Sequence, residues 1–127
     1  MRHLLALPFA VLALAACAAP APQERALVLE PGASADVAAG TTLRFDAVED
    51  SRCPPGVHCV WAGKLACRFS LVRSGAAIES FTLAPGDGGH AAATLDGARL
   101  LLDEASLPAP AAPGAPANHR VTVKVLP

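Results

Sequence analysis

The residues best suited to chemistry lie together in one stretch, residues 50–63. Its sequence is Asp-Ser-Arg-Cys-Pro-Pro-Gly-Val-His-Cys-Val-Trp-Ala-Gly, which includes two of the four cysteines and the single tryptophan. Cys53 and Cys59 flank a Pro54-Pro55-Gly56 segment, whose bend can bring the two sulfurs together. A disulfide that closes so short a loop adds about 2 kcal/mol of stability. We therefore predict a structural disulfide between Cys53 and Cys59.

A metal site is the alternative interpretation of this stretch. Cys53, His58 and Cys59 are suitable ligands for copper or zinc, and His90 or His119 would complete the set from a distant segment. The two interpretations differ in redox state, because metal binding requires reduced cysteines and the disulfide requires joined ones. The spacing between the cysteines is not a common zinc spacing, which favours the disulfide. We expect His90 and His119 to be ordinary surface residues.

Cys67 allows two further pairings, with Cys53 or with Cys59. It lies in a segment where apolar and polar residues alternate, on the apolar side with Leu65 and Phe69. A lone cysteine in such a position usually packs as a small hydrophobic residue. We therefore expect Cys67 to be free and buried.

The neighbours of Cys53 and Cys59 are expected to support the disulfide. Trp61 is predicted to bury its ring against the sulfurs, as tryptophans do beside sandwich disulfides. Gly63 stands where the chain must change direction before a strand, so a positive φ is expected there. Asp50 and Ser51 are expected to bond nearby backbone amides at the entry to the loop.

The sequence lacks the motifs of common enzyme sites. It has no Gly-x-Ser-x-Gly segment, no phosphate-binding glycine loop and no His-Glu-x-x-His. The adjacent acids Glu49-Asp50 and Asp103-Glu104 would point to opposite faces of a strand, which is unsuited to paired acid–base catalysis. With 10 basic and 11 acidic residues and no Lys/Arg cluster, the chain offers no surface for nucleic acid. We predict a protein that is not an enzyme, needs no cofactor and binds no nucleic acid.

The N-terminus has the pattern of an export signal. Arg2 precedes an apolar run over residues 4–16, which is shorter than the roughly 20 residues that a permanent membrane-spanning helix needs. The run ends in Leu14-Ala15-Ala16-Cys17, which resembles the lipobox of bacterial lipoproteins. In that family the cysteine after the cleavage point carries diacylglycerol and an acylated amine. The resemblance implies lipidation of Cys17 and attachment to a membrane; an ordinary Ala-x-Ala cleavage site is the alternative.

Residues 50–63 also resemble a motif of small uncharacterised bacterial lipoproteins, Asp-Ser-Arg-Cys-Pro followed by Cys-x-Trp-Ala-Gly. The two cysteines of that motif correspond to Cys53 and Cys59, and Cys67 is an addition to it. This family has no defined activity, so the resemblance bears on fold and location only. Ala18 stands where an aspartate would mark retention in the inner membrane. The lipoprotein resemblance therefore implies the outer membrane, facing the periplasm, if the cell is Gram-negative.

The elements that must position these residues are predicted to be strands. The clearest alternation of apolar and polar residues covers 64–73. Further strands are predicted at residues 26–29, 41–48, 78–83 and 119–126, with two short strands or turns in 91–107 and a proline-rich surface loop at 108–116. In the strand at 41–48, Leu43, Phe45 and Ala47 are expected to share the inner face. About seven short strands predict an immunoglobulin-like β-sandwich over residues 25–127, behind a signal peptide at 1–16 and a lipidated tether at 17–24.

These inferences predict a membrane-anchored lipoprotein of the cell envelope whose sandwich is a binding or structural module. Its partners would be the membrane, through Cys17, and an envelope protein of unknown identity. The contact surface is expected at a loop end or on the side of the sandwich that carries Arg52, Lys64 and Arg68. The alternative function is an envelope copper- or zinc-binding protein that uses Cys53, His58 and Cys59.

Overall fold

Eight β-strands build two four-stranded sheets in the computed structural model, which describes residues 17–18 and 23–127. The strands are β1 (Arg25–Leu29), β2 (Ser34–Ala38), β3 (Thr41–Asp50), β4 (Leu65–Arg73), β5 (Ala76–Leu83), β6 (His90–Ala92), β7 (Ala98–Leu102) and β8 (Val121–Leu126). One sheet has the order β1-β8-β7-β6 and the other β2-β3-β4-β5, with antiparallel pairing throughout. The predicted all-β sandwich is confirmed, with eight strands rather than about seven.

The additional strand is β2, which the sequence pattern does not reveal. The short strands predicted within residues 91–107 are β6, which begins one residue earlier at His90, and β7, with short 3-10 turns at Ala93–Leu95 and Glu104–Ser106. The predicted signal peptide, residues 1–16, and residues 19–22 of the predicted tether lie outside the described residues. Across residues 17–18 and 23–127, no helix has the length and apolar character needed to cross a bilayer.

The core lies between the two sheets and is formed by inward-facing residues of both. On β4 the predicted alternation is confirmed, with Leu65, Cys67, Phe69 and Leu71 buried. Phe69 stacks on Phe45 of β3 with a centroid distance of 4.7 Å, and such aromatic contacts add to the gain from burial. Opposite them, the second sheet contributes buried residues that are all aliphatic: Leu29, Ala92, Leu100, Leu102, Val121, Val123 and Val125.

A β-bulge in β3 changes which side chains face the core. The pairing with β4 shifts between Phe45 and Ala47, so Ala47 lies opposite the exposed Arg68 and the next residue, Val48, lies opposite the buried Cys67. The prediction that Ala47 shares the inner face is therefore wrong, because the extra residue of a bulge reverses the alternation that follows it. The same reversal places Asp50, the last residue of β3, on the inner side opposite Leu65.

The strand register gives the sandwich two distinct ends. At one end, which we call the disulfide end, Asp50 pairs with Leu65, so residues 51–64 form the connection from β3 to β4. The long connection 103–120 lies at this end too, because His119 Nε2 is 3.2 Å from Asp50 Oδ2. The two sheets are therefore joined where their longest connections meet.

The opposite end of the sandwich holds the start of β1. Arg25 pairs with Val125 near the end of β8, and its Nη1 donates to the Val37 carbonyl near the end of β2 at 3.0 Å. We call this the Arg25 end. Since β3 has 10 residues and a strand rises about 3.3 Å per residue, the two ends are separated by about 30 Å.

Candidate functional site

The candidate site is the connection between β3 and β4, residues 51–64, which we call the disulfide loop. Cys53 and Cys59 are joined by a disulfide with a Cα–Cα distance of 5.9 Å, as predicted. Between them the chain turns through the proline segment, where the Val57 amide donates to the Pro54 carbonyl at 3.3 Å. Gly56 takes a positive φ of 76° in this turn, a conformation that glycine adopts without strain.

Hydrogen bonds at its base fix the disulfide loop to the strands. The Ser51 amide donates to the Lys64 carbonyl at 2.8 Å, and the Lys64 amide donates to the Ser51 hydroxyl at 3.0 Å. One step further out, the Cys53 amide donates to the Ala62 carbonyl at 2.9 Å. The expected role of Ser51 in bonding a backbone amide is confirmed, and the base of the loop is held on both strands.

Gly63 lets the two sides of the disulfide loop come together. Its φ is +71°, which confirms the predicted positive value. A Cβ atom built on Gly63 would lie 1.8 Å from the Ser51 carbonyl oxygen, far inside van der Waals contact. Glycine is required here by backbone conformation and by space, because the Ser51 backbone lies directly against it.

Trp61 does not cover the disulfide. Its side chain is 78% exposed, and the preceding Val60 is fully exposed at 100%. The prediction that the indole packs against the sulfurs is wrong, because Val60 and Trp61 both project from the loop into water. At the base of the loop, Arg52 Nη1 donates to the Pro108 carbonyl of the 103–120 connection at 2.9 Å.

Asp50 is the centre of a polar cluster beneath the disulfide loop. Its carboxylate accepts hydrogen bonds from Arg52 Nε and Nη2, both at 2.9 Å, and from the Arg52 amide at 3.2 Å. Its Oδ2 also lies 3.2 Å from His119 Nε2. The hydrogen bonds from the Arg52 side chain lower the pKa of the Asp50 carboxyl to about 2, with a further lowering from His119. The expected bond from Asp50 to a nearby amide is confirmed.

Cys67 is buried below this cluster and is not part of the disulfide, as expected. Burial raises the pKa of its thiol to about 11, an effect that the nearby Arg52 charge partly offsets. A thiol with such a pKa is almost entirely protonated near neutral pH and is a poor nucleophile. Cys67 therefore serves as a packed core residue.

Comparisons with protein-family models, with curated proteins and with solved structures find no match.

The disulfide removes the thiolates that the metal alternative requires. Cys53 and Cys59 are joined, so neither sulfur is available as a ligand while the bond is intact. His58 lies beside them in the exposed part of the loop, whereas His119 contacts Asp50 and His90 contacts Glu79. Among the residues that the structure describes, no three His, Cys, Asp or Glu side chains are grouped closely enough to hold a metal ion.

The three basic residues of the predicted contact surface are separated in the fold. Arg52 is turned inward and paired with Asp50, with only 20% of its side chain exposed. Lys64 is exposed at the base of the disulfide loop, beside Trp61 in a shallow depression. Arg68 is exposed on the outer face of its sheet, opposite Ala47. Only Lys64 remains beside the exposed part of the loop with a free charge.

A second cluster, centred on Glu79, does not follow from the sequence pattern. Glu79 Oε1 lies 2.7 Å from His90 Nε2, and the amides of Ala93 and Thr94 donate to the same carboxylate at 3.2 and 3.1 Å. The His90 ring also stacks on Phe81. Hydrogen bonds, led by the one from the Thr94 hydroxyl, lower the pKa of Glu79 to about 2. The expectation that His90 and His119 are ordinary surface residues is wrong, because each joins the two sheets through a carboxylate.

Proposed function

We propose that this chain is a membrane-anchored lipoprotein of the cell envelope whose β-sandwich is a binding or structural module. In this proposal Cys17 carries the lipid, residues 17–24 form the tether, and the disulfide loop contacts a partner. The membrane is the outer membrane, facing the periplasm, if the cell is Gram-negative. The proposed role is non-catalytic and requires no cofactor.

The observation that supports a binding role is the exposure of Val60 and Trp61 on a fixed backbone. Both residues are exposed to water, although burial of a tryptophan side chain is favourable by a free energy on the order of several kcal/mol. Tryptophan is among the residues that contribute most to protein interfaces. Because the disulfide and the bonds at the loop base already order this segment, binding through it would lose little conformational entropy.

Substitution of Trp61 tests the binding role. Full-length chains carrying Trp61→Ala are compared with wild type and with Val28→Ala, a control that truncates another exposed apolar residue on β1. After mild cross-linking in cells, we expect the same partner with wild type and Val28→Ala, and at least about tenfold less with Trp61→Ala. Equal recovery with all three chains would contradict the assignment of the disulfide loop as the contact.

The anchor is tested separately by lipid labelling. Cells that express the full chain are grown with labelled palmitate, and wild type is compared with Cys17→Ser and with Cys67→Ala. We expect label and membrane fractionation in wild type and Cys67→Ala, and the loss of both in Cys17→Ser. Label that persists without Cys17, or that is absent from wild type, would contradict the lipoprotein assignment.

A further inference from the structure

The exposed part of the disulfide loop combines apolar side chains with one positive charge, at the end of the sandwich farthest from Arg25. We infer that Trp61 docks into an apolar pocket with a carboxylate rim, on a partner protein held away from the membrane that carries the anchor. This inference rests on the proposed function, because it takes Cys17 as the point of attachment. The inference adds the chemistry of the partner's pocket and states that the partner lies on the side of the domain that faces away from the membrane.

The apolar part of the contact consists of three residues of one loop. Val57, Val60 and Trp61 are 42%, 100% and 78% exposed, and they are the exposed large hydrophobic residues of the disulfide loop. Singly exposed apolar residues are common, but three within five positions form a projecting group. A projecting group of this size fits a concave apolar pocket, where a central tryptophan is typical of the energetically dominant residues.

The charge beside this group is positive. Residues 51–64 contain no Asp or Glu, and their two permanent charges are Arg52 and Lys64. The charge of Arg52 is balanced by Asp50 at 2.9 Å, whereas Lys64 has no partner among the ion pairs of the described residues. An exposed charge at the edge of an apolar contact steers association and selects a partner of opposite sign. The rim of the complementary pocket is therefore acidic.

The position of the disulfide loop favours a protein partner over the bilayer that holds the anchor. The tether leaves the sandwich at the Arg25 end, and the disulfide loop lies about 30 Å away at the other end. Residues 17–24, with two prolines, would span about 25 Å if fully extended as polyproline II and less as a flexible chain. Trp61 would approach the bilayer only if the domain lay on its side or inverted on a fully stretched tether. With the Arg25 end towards the membrane, the loop points away from it.

Trp61 is the only tryptophan, so its fluorescence reports directly on this choice. The lipidated full chain is reconstituted into vesicles of phosphatidylethanolamine and phosphatidylglycerol, with and without brominated acyl chains. We expect the emission of a water-exposed indole, unchanged in wavelength and not quenched by the bromines. A shift to shorter wavelength together with quenching by the bromines would overturn the inference and identify the bilayer as the contact.

Photocross-linking tests the protein pocket. A photoreactive residue is placed at Val60 of the full chain in cells, and at Ala77, an exposed control position near the Arg25 end. We expect one protein adduct from position 60 and none from position 77. Mass mapping should place the adduct at an apolar pocket bordered by Asp or Glu. Three outcomes would overturn the inference: an adduct to a second copy of this chain, adducts from both positions, or no adduct from position 60.

Charge reversal tests the acidic rim. In the position-60 chain, Lys64→Glu is expected to reduce the adduct at least about tenfold, while Arg68→Glu on the outer sheet face leaves it unchanged. Replacing the mapped partner carboxylate by lysine should restore the adduct of the Lys64→Glu chain. Equal adduct yield with Lys64→Glu, or no recovery on charge exchange, would contradict the rim. If the wild-type chain carried no palmitate label but still gave the cross-link from position 60, only the lipid anchor would be contradicted. Failure of the anchor can therefore be distinguished from failure of the docking contact.

Discussion

His119 Nε2 lies 3.2 Å from Asp50 Oδ2, and this contact joins two residues 69 positions apart at the ends of strands from different sheets. Asp50 ends β3, and His119 stands just before β8. The same carboxylate receives the side chain of Arg52, which in turn reaches Pro108. The base of the disulfide loop is therefore fastened to both sheets through one aspartate.

This cluster predicts a loss of stability in acid. The pKa of Asp50 is about 2 in the folded protein and 3.8 for the free carboxyl, so the unfolded chain binds the proton more readily. A carboxyl whose pKa is lower in the folded than in the unfolded protein stabilises the fold at pH values above its unfolded pKa. This contribution, about 2 kcal/mol, is lost as the pH falls from about 4 to about 2.

Urea unfolding at about pH 6 and about pH 3 measures this contribution. We expect Asp50→Asn to show a smaller drop in unfolding free energy between the two conditions than wild type, by about 1 kcal/mol. Glu30→Gln, at an exposed position, serves as the control and should keep the wild-type drop. An identical drop in wild type and Asp50→Asn would show that the cluster does not form.

Gly63→Ala should destabilise the protein severely. The new methyl group would meet the Ser51 carbonyl at 1.8 Å, and the positive φ adds strain of its own. We expect a loss of about 3 kcal/mol or more. Gly56→Ala is the matched control, because it has a similar φ of +76° with no atom within 4 Å of the added group. Its loss should be about 1 kcal/mol, from the backbone alone.

Thermal unfolding of both glycine variants provides the measurement. A difference between them reports the close approach of the two sides of the disulfide loop, since the backbone strain is shared. Equal melting temperatures for Gly63→Ala and Gly56→Ala would mean that the loop base is open, contrary to the hydrogen bonds between Ser51 and Lys64.

The thiol count is the most direct test of the disulfide. A domain that starts after Cys17 contains Cys53, Cys59 and Cys67. Denatured without reductant and alkylated, it should gain one label, at Cys67, and the folded domain should gain almost none because that thiol is buried. Three labels after denaturation would mean that the loop is not cross-linked, and would return the metal alternative to consideration.

Removal of the disulfide should lower the free energy of unfolding by little more than the contribution from closing its short loop. For a bond between residues six positions apart, we expect the Cys53→Ala/Cys59→Ala chain to lose about 2 kcal/mol of unfolding free energy. Chemical denaturation gives the value. A much larger loss would show that the cysteines also support the core, which their partly exposed position beside the solvent does not predict.

Local patterns in the sequence predict the strands and the disulfide well. The alternation around Phe69 and the Pro-Pro-Gly turn between the cysteines are properties of neighbouring residues, and both have the expected result in the fold. The positive φ at Gly63 follows in the same way from its place before a strand. β2 is missed because its alternation covers only five residues with small side chains.

Contacts between distant residues are what the sequence does not reveal. Glu79 and His90 meet only because β5 and β6 lie at adjacent edges of the two sheets, and Asp50 meets His119 only because a bulge turns the end of β3 inward. The exposure of Trp61 is also missed, because the residue type alone favours burial of an indole, whereas the course of the loop backbone decides where the ring lies.

The fluorescence of Trp61 tests the central observation most directly. On the purified domain that starts after Cys17, emission wavelength, acrylamide quenching and anisotropy are measured before and after reduction of the disulfide. We expect long-wavelength emission and strong quenching in both states, with an anisotropy that falls on reduction because the disulfide holds the loop. Short-wavelength emission with weak quenching would mean that the indole is buried, and would contradict the assignment of the disulfide loop as the binding element.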